Sequence, residues 1–154
     1  LALCRRPLML RGDGGYDGPS GTPRPTSPEP TMPPDEVRLI PTRPDQALLY
    51  RLNGDNNALH LEPDVARKAG FDRPILHGLC TFGIASTMAL FVLADGEPER
   101  FKGFRARFSA PVFPGETLRI ELWNDGAVRV VANERNRPVL THARADISGN
   151  NGWK

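Results

Sequence analysis

From residue 78 to residue 94 the chain is apolar almost all round: Leu79, Cys80, Phe82, Ile84, Ala85 and the run Met88 to Leu93 leave no polar face. A helix of that kind is wrapped by other structure rather than laid on a surface. It is too short to span a bilayer, so protein has to do the wrapping. After Asp95-Gly96 the apolar period changes to two, and residues 101–108, 117–123, 127–132 and 138–147 read as strands. Leu118, Ile120 and Leu122 share one face, as do Val139, Thr141, Ala143, Ala145 and Ile147. The opposite face carries Arg119, Glu121 and Trp123, then Leu140, His142, Arg144 and Asp146, and reads as a largely polar outer surface. Asn124-Asp125-Gly126 supplies a hairpin turn. The expected class is α+β: one long central helix crossed by an antiparallel sheet of about five strands.

Upstream of that helix, residues 37–40 read as a short strand before Pro41, and residues 44–52 as a helix closed by Asn53-Gly54. Residues 63–69 read as a second short helix, with Pro63 at its first position and Gly70 as its stop. The loop between them holds Asp55, Asn57 and His60, and His77-Gly78 stands at the mouth of the apolar helix. An acid and an imidazole can hold one water between them for general acid–base work. A glycine N–H at a helix start can hold an oxyanion. Each residue also has a plainer reading. Asp55 is a turn former, His60 a packed histidine, His77 a support for Gly78, and His142 a surface residue. Asp55, His60, His77 and Cys80 can be drawn as a metal site. A cysteine in the first turn of an apolar helix behaves as a small hydrophobe, however, and no metal is expected.

Length and charge bound the rest. The chain has 154 residues, room for one domain with a sizeable core, and a net charge of +2 with its basic residues scattered, which gives no case for nucleic acid. Two cysteines form no disulfide framework and suit a reducing compartment, cytoplasmic or, in a eukaryote, peroxisomal. No membrane association is expected. Ten of the 16 prolines lie in residues 1–45 beside a Gly-rich run, a composition that buries little apolar surface. Residues 1–11 therefore read as the end of something upstream, 12–36 as a linker without regular structure, 37–148 as the folded domain and 149–154 as a frayed tail. Arg11-Gly12-Asp13 matches an adhesion tripeptide, but three residues carry little information.

Three blocks in order, G-D-N-N-A-L-H, then A-G-F-D-R-P-I-L-H-G-L-C-T-F-G, then F-S-A-P-V-F-P-G-E-T-L, resemble the (R)-specific enoyl-CoA hydratases of the MaoC-like, hotdog-fold group. The resemblance covers roughly residues 37 to 148. It implies an enzyme adding water across trans-2-enoyl-CoA to give (R)-3-hydroxyacyl-CoA, with no cofactor beyond the CoA thioester itself. Asp55 and His60 become the acid–base pair, Asn57 the orienting amide, and Gly78 the N–H donor to the thioester oxygen. Arg105 and Arg107, alternating with Phe104, Ala106 and Phe108, face either solvent or the CoA phosphates. The family usually has Pro at the position of Ala58 and Asp at that of Glu62. Ala58 loosens the loop and Glu62 is a poorer helix cap, yet neither change removes a reacting atom. Larger members carry two hotdog repeats joined side by side, the second catalytic, so this chain is expected to pair with a second repeat or with itself. Two alternatives stand beside this reading: a hotdog thioesterase and a non-catalytic acyl-binding subunit.

Overall fold

A computed structural model of the chain describes residues 3–5, 15, 18 and 26–148. The expectations for residues 6–14 and 149–154, and for most of 16–25, lie outside the described residues. The elements run β1 (Glu36–Pro41), α1 (Gln46–Arg51), a 3-10 turn (Ala58–His60), α2 (Pro63–Lys68), α3 (Gly78–Leu93), β2 (Phe101–Phe108), β3 (Thr117–Leu122), β4 (Ala127–Ala132) and β5 (Arg137–Ile147). The strands form one antiparallel sheet in the order β1-β3-β4-β5-β2, with β1 and β2 at its edges. Every expected helix and strand is present, with ends moved by one or two residues. The 3-10 turn was not foreseen.

The sheet's inner face supplies Leu118, Ile120 and Leu122 of β3, Val128 and Val130 of β4, and Ala143, Ala145 and Ile147 of β5. α3 turns Cys80, Thr81, Ala85 and Ala89 toward this core, all buried. Thr81, Ala85 and Ala89 recur at four-residue steps along one helix face with Cys80 beside them, and their small side chains let the helix lie close against the strands. The opposite side of α3 departs from expectation. Leu79 is 44% exposed and Phe91 59% exposed, so the sheet covers one flank of the helix and does not wrap it. A uniformly apolar sequence has no pattern to say which flank five strands will reach.

The outer sheet face also differs. Residues 26–35 form no helix or strand, as a proline-rich stretch should, yet they are held across that face from β2 to the end of β3. Arg105 Nη2 of β2 donates to Ser27 Oγ at 2.8 Å, and His142 of β5 meets the Ser27 carbonyl at 2.7 Å through Nδ1. The His142 N–H donates to the Glu29 carboxylate. Trp123 Nε1 donates to the Met32 carbonyl at 3.0 Å, and the Asn124 N–H to Asp35 at 2.8 Å. Trp123, expected on an open polar face, is thereby buried. Leu140 is a second correction: it belongs to the core, 1% exposed. His142 sits at a break in the β5 register with a positive φ of 49°, and this irregularity changes which residues of the strand face inward. Strict alternation from residue 147 back to 139 therefore fails at that point.

Candidate active site

The loop after α1 builds the site through short local bonds. Gly54, with φ 98°, turns the chain out of the helix. Arg51 Nε ties the loop down by donating to Asn56 Oδ1 at 2.9 Å. The Asn57 N–H donates to Asp55 Oδ1 at 3.3 Å, and Asn57 Oδ1 in turn accepts from the Leu59 N–H at 3.0 Å. Asn57 is thus the cap of the 3-10 turn Ala58–His60, the local geometry that carries the His60 ring inward. Glu62 precedes α2 without a side-chain cap bond, as expected of the longer acid.

His60 Nδ1 lies 2.8 Å from the Ile75 carbonyl oxygen. A carbonyl only accepts, so Nδ1 carries the proton and Nε2 presents its lone pair. The loop supplying Ile75 is anchored by the Leu76 N–H, which donates to the Val112 carbonyl at 2.7 Å. Asp55 is exposed, His60 half-buried and His77 buried, and one polar side-chain atom of each lies within 4.8 Å of the other two. That is room for a water between acid and imidazole.

His77 does more than the sequence showed. It is the residue before α3 and makes no side-chain cap bond. Its Nε2–H instead donates to the Asp55 carbonyl at 3.2 Å, and its ring stacks on His60 with centroids 3.7 Å apart and planes 26° off parallel. Tyr50 of α1 closes the other side at 4.8 Å. Burial pushes the His77 pKa down, and with it the ring stays neutral. Neither the stack nor the bond has a sequence signature, because both join residues far apart along the chain.

Gly78 opens α3, and its N–H is one of the first-turn donors that have no acceptor within the helix. The ring of Phe108 lies over it: a Cβ built on Gly78 would meet Phe108 Cε1 at 3.1 Å. Beside Gly78 is a cavity of about 300 Å³ lined by Phe71, Ile75, Leu76, Thr81, Phe108 and Leu140 among others. The Thr81 hydroxyl on its wall is buried without a hydrogen-bond partner. A larger cleft of about 620 Å³ lies at Phe113, Gly115 and Arg135 and holds none of the residues singled out from the sequence.

The structure therefore brings Asp55, Asn57 and His60 into one loop against His77-Gly78. It does not bring Arg105 to them: Arg105 bonds Ser27 on the outer face, while its neighbour Phe104 meets Phe82 of α3 on the inner face at 4.9 Å between centroids. Arg107 is exposed further along β2. Cys80 points into the core, where burial raises its thiol pKa, and it is not one of the clustered donors. For a metal, the remaining donors would be Asp55, His60 Nε2 and His77 Nδ1. Two stacked rings send their lone pairs out in nearly parallel planes, whereas tetrahedral ligation needs them to converge on one point. The residues present do not fit a metal well.

Comparison with known proteins identifies the family. The sequence model described as "MaoC like domain" matches residues 25–145. The chain is 44% identical over 137 residues to peroxisomal multifunctional enzyme type 2 of Drosophila melanogaster, covering 87% of this chain and 23% of that protein. It is 41% identical over 165 residues to the peroxisomal enoyl-CoA hydratase 2 of Arabidopsis thaliana, covering 97% and 52%. The crystal structure of a MaoC-like dehydratase from Phytophthora capsici superposes with a TM-score of 0.84 at 37% identity, over 90% of this chain and 50% of that one. The chain spans about half or less of the length of these relatives. With its five antiparallel strands, its α3 helix and a family model matched over residues 25–145, this chain belongs to the MaoC-like dehydratase family and has the hotdog fold.

Proposed function

We propose that this domain catalyses the reversible addition of water to a trans-2-enoyl-CoA, giving the (R)-3-hydroxyacyl-CoA, in fatty-acid metabolism. The observation that carries it is the convergence of Asp55 and the free His60 Nε2 beside the first N–H of α3. Water held between Asp55 and His60 gives a proton to the pair as its oxygen bonds to C3 of the substrate. The C2–C3 electron pair shifts toward the thioester, and negative charge grows on the thioester oxygen. The Gly78 N–H and the α3 dipole hold that charge. The same pair then returns a proton to C2, so one water is added and nothing else is consumed. No step calls for a metal or a redox cofactor.

The substrate is proposed to enter with a second hotdog at its side. Among the described residues β2 is an edge of the sheet; its Phe108 is 50% exposed, and on α3 Leu79 is 44% and Phe91 59% exposed. An unpaired edge beside uncovered apolar surface recruits a partner. The domain boundaries, with residues 37–148 as the catalytic unit, and a peroxisomal setting in a eukaryotic host are part of the same proposal. Among the described residues no helix is long and apolar enough to cross a membrane.

Crotonyl-CoA provides the test, through loss of the absorbance of its conjugated thioester. Asp55→Asn and His60→Gln should each lower the rate by about a hundredfold or more, with acyl-CoA binding changed far less. Release of free CoA without a hydrated product would replace the hydratase reading with thioester hydrolysis.

A further inference from the structure

We infer that His77 is a positioning residue for the acid–base pair, holding the plane of the His60 ring and the backbone of Asp55 together. The inference rests on the hydratase reading for its catalytic consequence, but its structural content stands apart. An imidazole needs two restraints before its free nitrogen aims in one direction. The Ile75 carbonyl fixes one atom of the His60 ring, Nδ1, at 2.8 Å. That leaves rotation about the hydrogen bond, and the His77 ring stacked at 3.7 Å removes it by fixing the plane. Through Nε2–H, 3.2 Å from the Asp55 carbonyl, His77 also pins the chain at the point from which the Asp55 carboxylate departs. One side chain thus touches both members of the pair.

The surroundings of His77 favour this role over that of a plain packing residue. It is 2% exposed, and its Nδ1 is buried with no hydrogen-bond partner among the described residues. A phenyl ring would fill the same space without stranding a nitrogen, and a leucine would pack as well against Tyr50. What the imidazole supplies that neither of those combines is a flat face and an in-plane N–H in one rigid unit. Its neutrality matters too, because a stacked neutral ring places no like charge against His60 when that ring takes a proton. His77 itself is not placed to exchange protons with substrate, since its one N–H is spent on Asp55.

Two substitutions separate the two restraints. His77→Gln keeps an amide N–H within reach of the Asp55 carbonyl and removes the ring. His77→Phe keeps the ring and removes the N–H. The chain has only three histidines, so imidazole nitrogen NMR can resolve His60 directly. In the unaltered protein His60 should show a single tautomer, protonated at Nδ1. His77→Gln should let the unstacked ring swing off the Ile75 carbonyl part of the time, so that the two tautomers average, and should lower kcat on crotonyl-CoA roughly ten- to a hundredfold with KM within about twofold. In a His60→Gln background the same change should cost almost nothing more, because the effect runs through His60. His77→Phe should keep the His60 tautomer and lose less rate. Unchanged His60 nitrogen shifts in His77→Gln, or rate losses that simply multiply with those of His60→Gln, would overturn the inference. If His77→Gln does not fold, averaged His60 tautomers in His77→Phe would overturn it equally. A protein that hydrates no enoyl-CoA would defeat the hydratase reading alone, with the NMR arm still deciding the role of His77.

Discussion

Replacing Glu116 by glutamine tests the scaffold beneath the site. Glu116 is 6% exposed and its carboxylate accepts from the Phe113 N–H at 2.8 Å, from Arg135 Nη2 at 2.9 Å and from Arg135 Nε. Its backbone carbonyl takes the Thr42 hydroxyl at 2.7 Å and the Thr42 N–H at 3.0 Å. The hub therefore joins the β1–α1 connection, the turn before β3 and the β4–β5 turn, and it braces the segment whose Val112 carbonyl anchors Leu76. Glutamine keeps the shape, loses the charge and turns an amide NH₂ toward a guanidinium that can only donate. Breaking a buried ion pair typically costs about 3–5 kcal/mol. The Arg135 side chain is 34% exposed and regains water, so about 2–3 kcal/mol is the better expectation. In urea that is a midpoint lowered by about 1–2 M at neutral pH. The pH dependence gives a second handle. Burial pushes the Glu116 carboxyl up, but Arg135 and the Phe113 N–H outweigh it and hold its pKa below the ordinary glutamate value. A depressed folded-state pKa gives stability present above about pH 4.3, the unfolded value, and lost as pH falls through the folded one. The gap between the two proteins should be full at pH 7 and close under more acidic conditions, where the native residue is itself neutral. Urea midpoints for both at pH 7 and at about pH 3 decide it: equal midpoints at pH 7, or a constant gap across the range, would refute the reasoning.

Three other outcomes are expected. Gly126→Ala should destabilise the fold by about 2–4 kcal/mol in thermal or urea unfolding, because the residue has φ 95° and an added Cβ would stand 2.6 Å from the Ala145 carbonyl oxygen. Asn57→Ala should cost only about 1 kcal/mol as a lost cap, yet lower hydration rates disproportionately, since the 3-10 turn it caps carries His60; equal small effects on stability and rate would count against the loop geometry. Hydration activity of the chain alone should fall on dilution together with a decline in sedimentation coefficient, and a fully active monomer at high dilution would remove the case for a partner at β2.

Most of the fold was legible because its periods are clean. The sequence of β3 alternates cleanly, and the one change of period, at Asp95-Gly96, marks the passage from α3 to the sheet. What escaped reading has in common that a non-repeating contact decided it. The irregularity at His142 moves Leu140 into the core, and it is fixed by bonds from Ser27 and Glu29, residues more than a hundred positions away. Trp123 was assigned to an exposed face because nothing in a proline-rich stretch announces that Met32 will lie over its indole. At the site, Asp55, His60 and Gly78 came from a resemblance carried by their motifs, and the structure adds the geometry of their convergence. His77 was read only as the neighbour of Gly78, because a ring stack leaves no spacing in the sequence.

The division of labour within α3 bears on why this chain is proposed both to hold its own acid–base pair and to pair with a second hotdog. Its N-terminus and the loop packed against it bring Asp55, His60, His77 and Gly78 together using groups from this chain alone, so the chemical step depends on local bonds. Its flank is a different matter. Cys80, Thr81, Ala85 and Ala89 are buried against the sheet, while Leu79 in the first turn and Phe91 in the last stand largely exposed. Leaving such side chains in water forfeits about 1.5–3 kcal/mol each relative to burial, and Leu79 adjoins Gly78, where the thioester is proposed to sit. A partner that covers this flank would bury the apolar residues and wall the acyl chain in one step. On that account changes at Leu79 or Phe91 weaken substrate binding and association together, whereas changes at His60 leave both nearly intact and remove the rate.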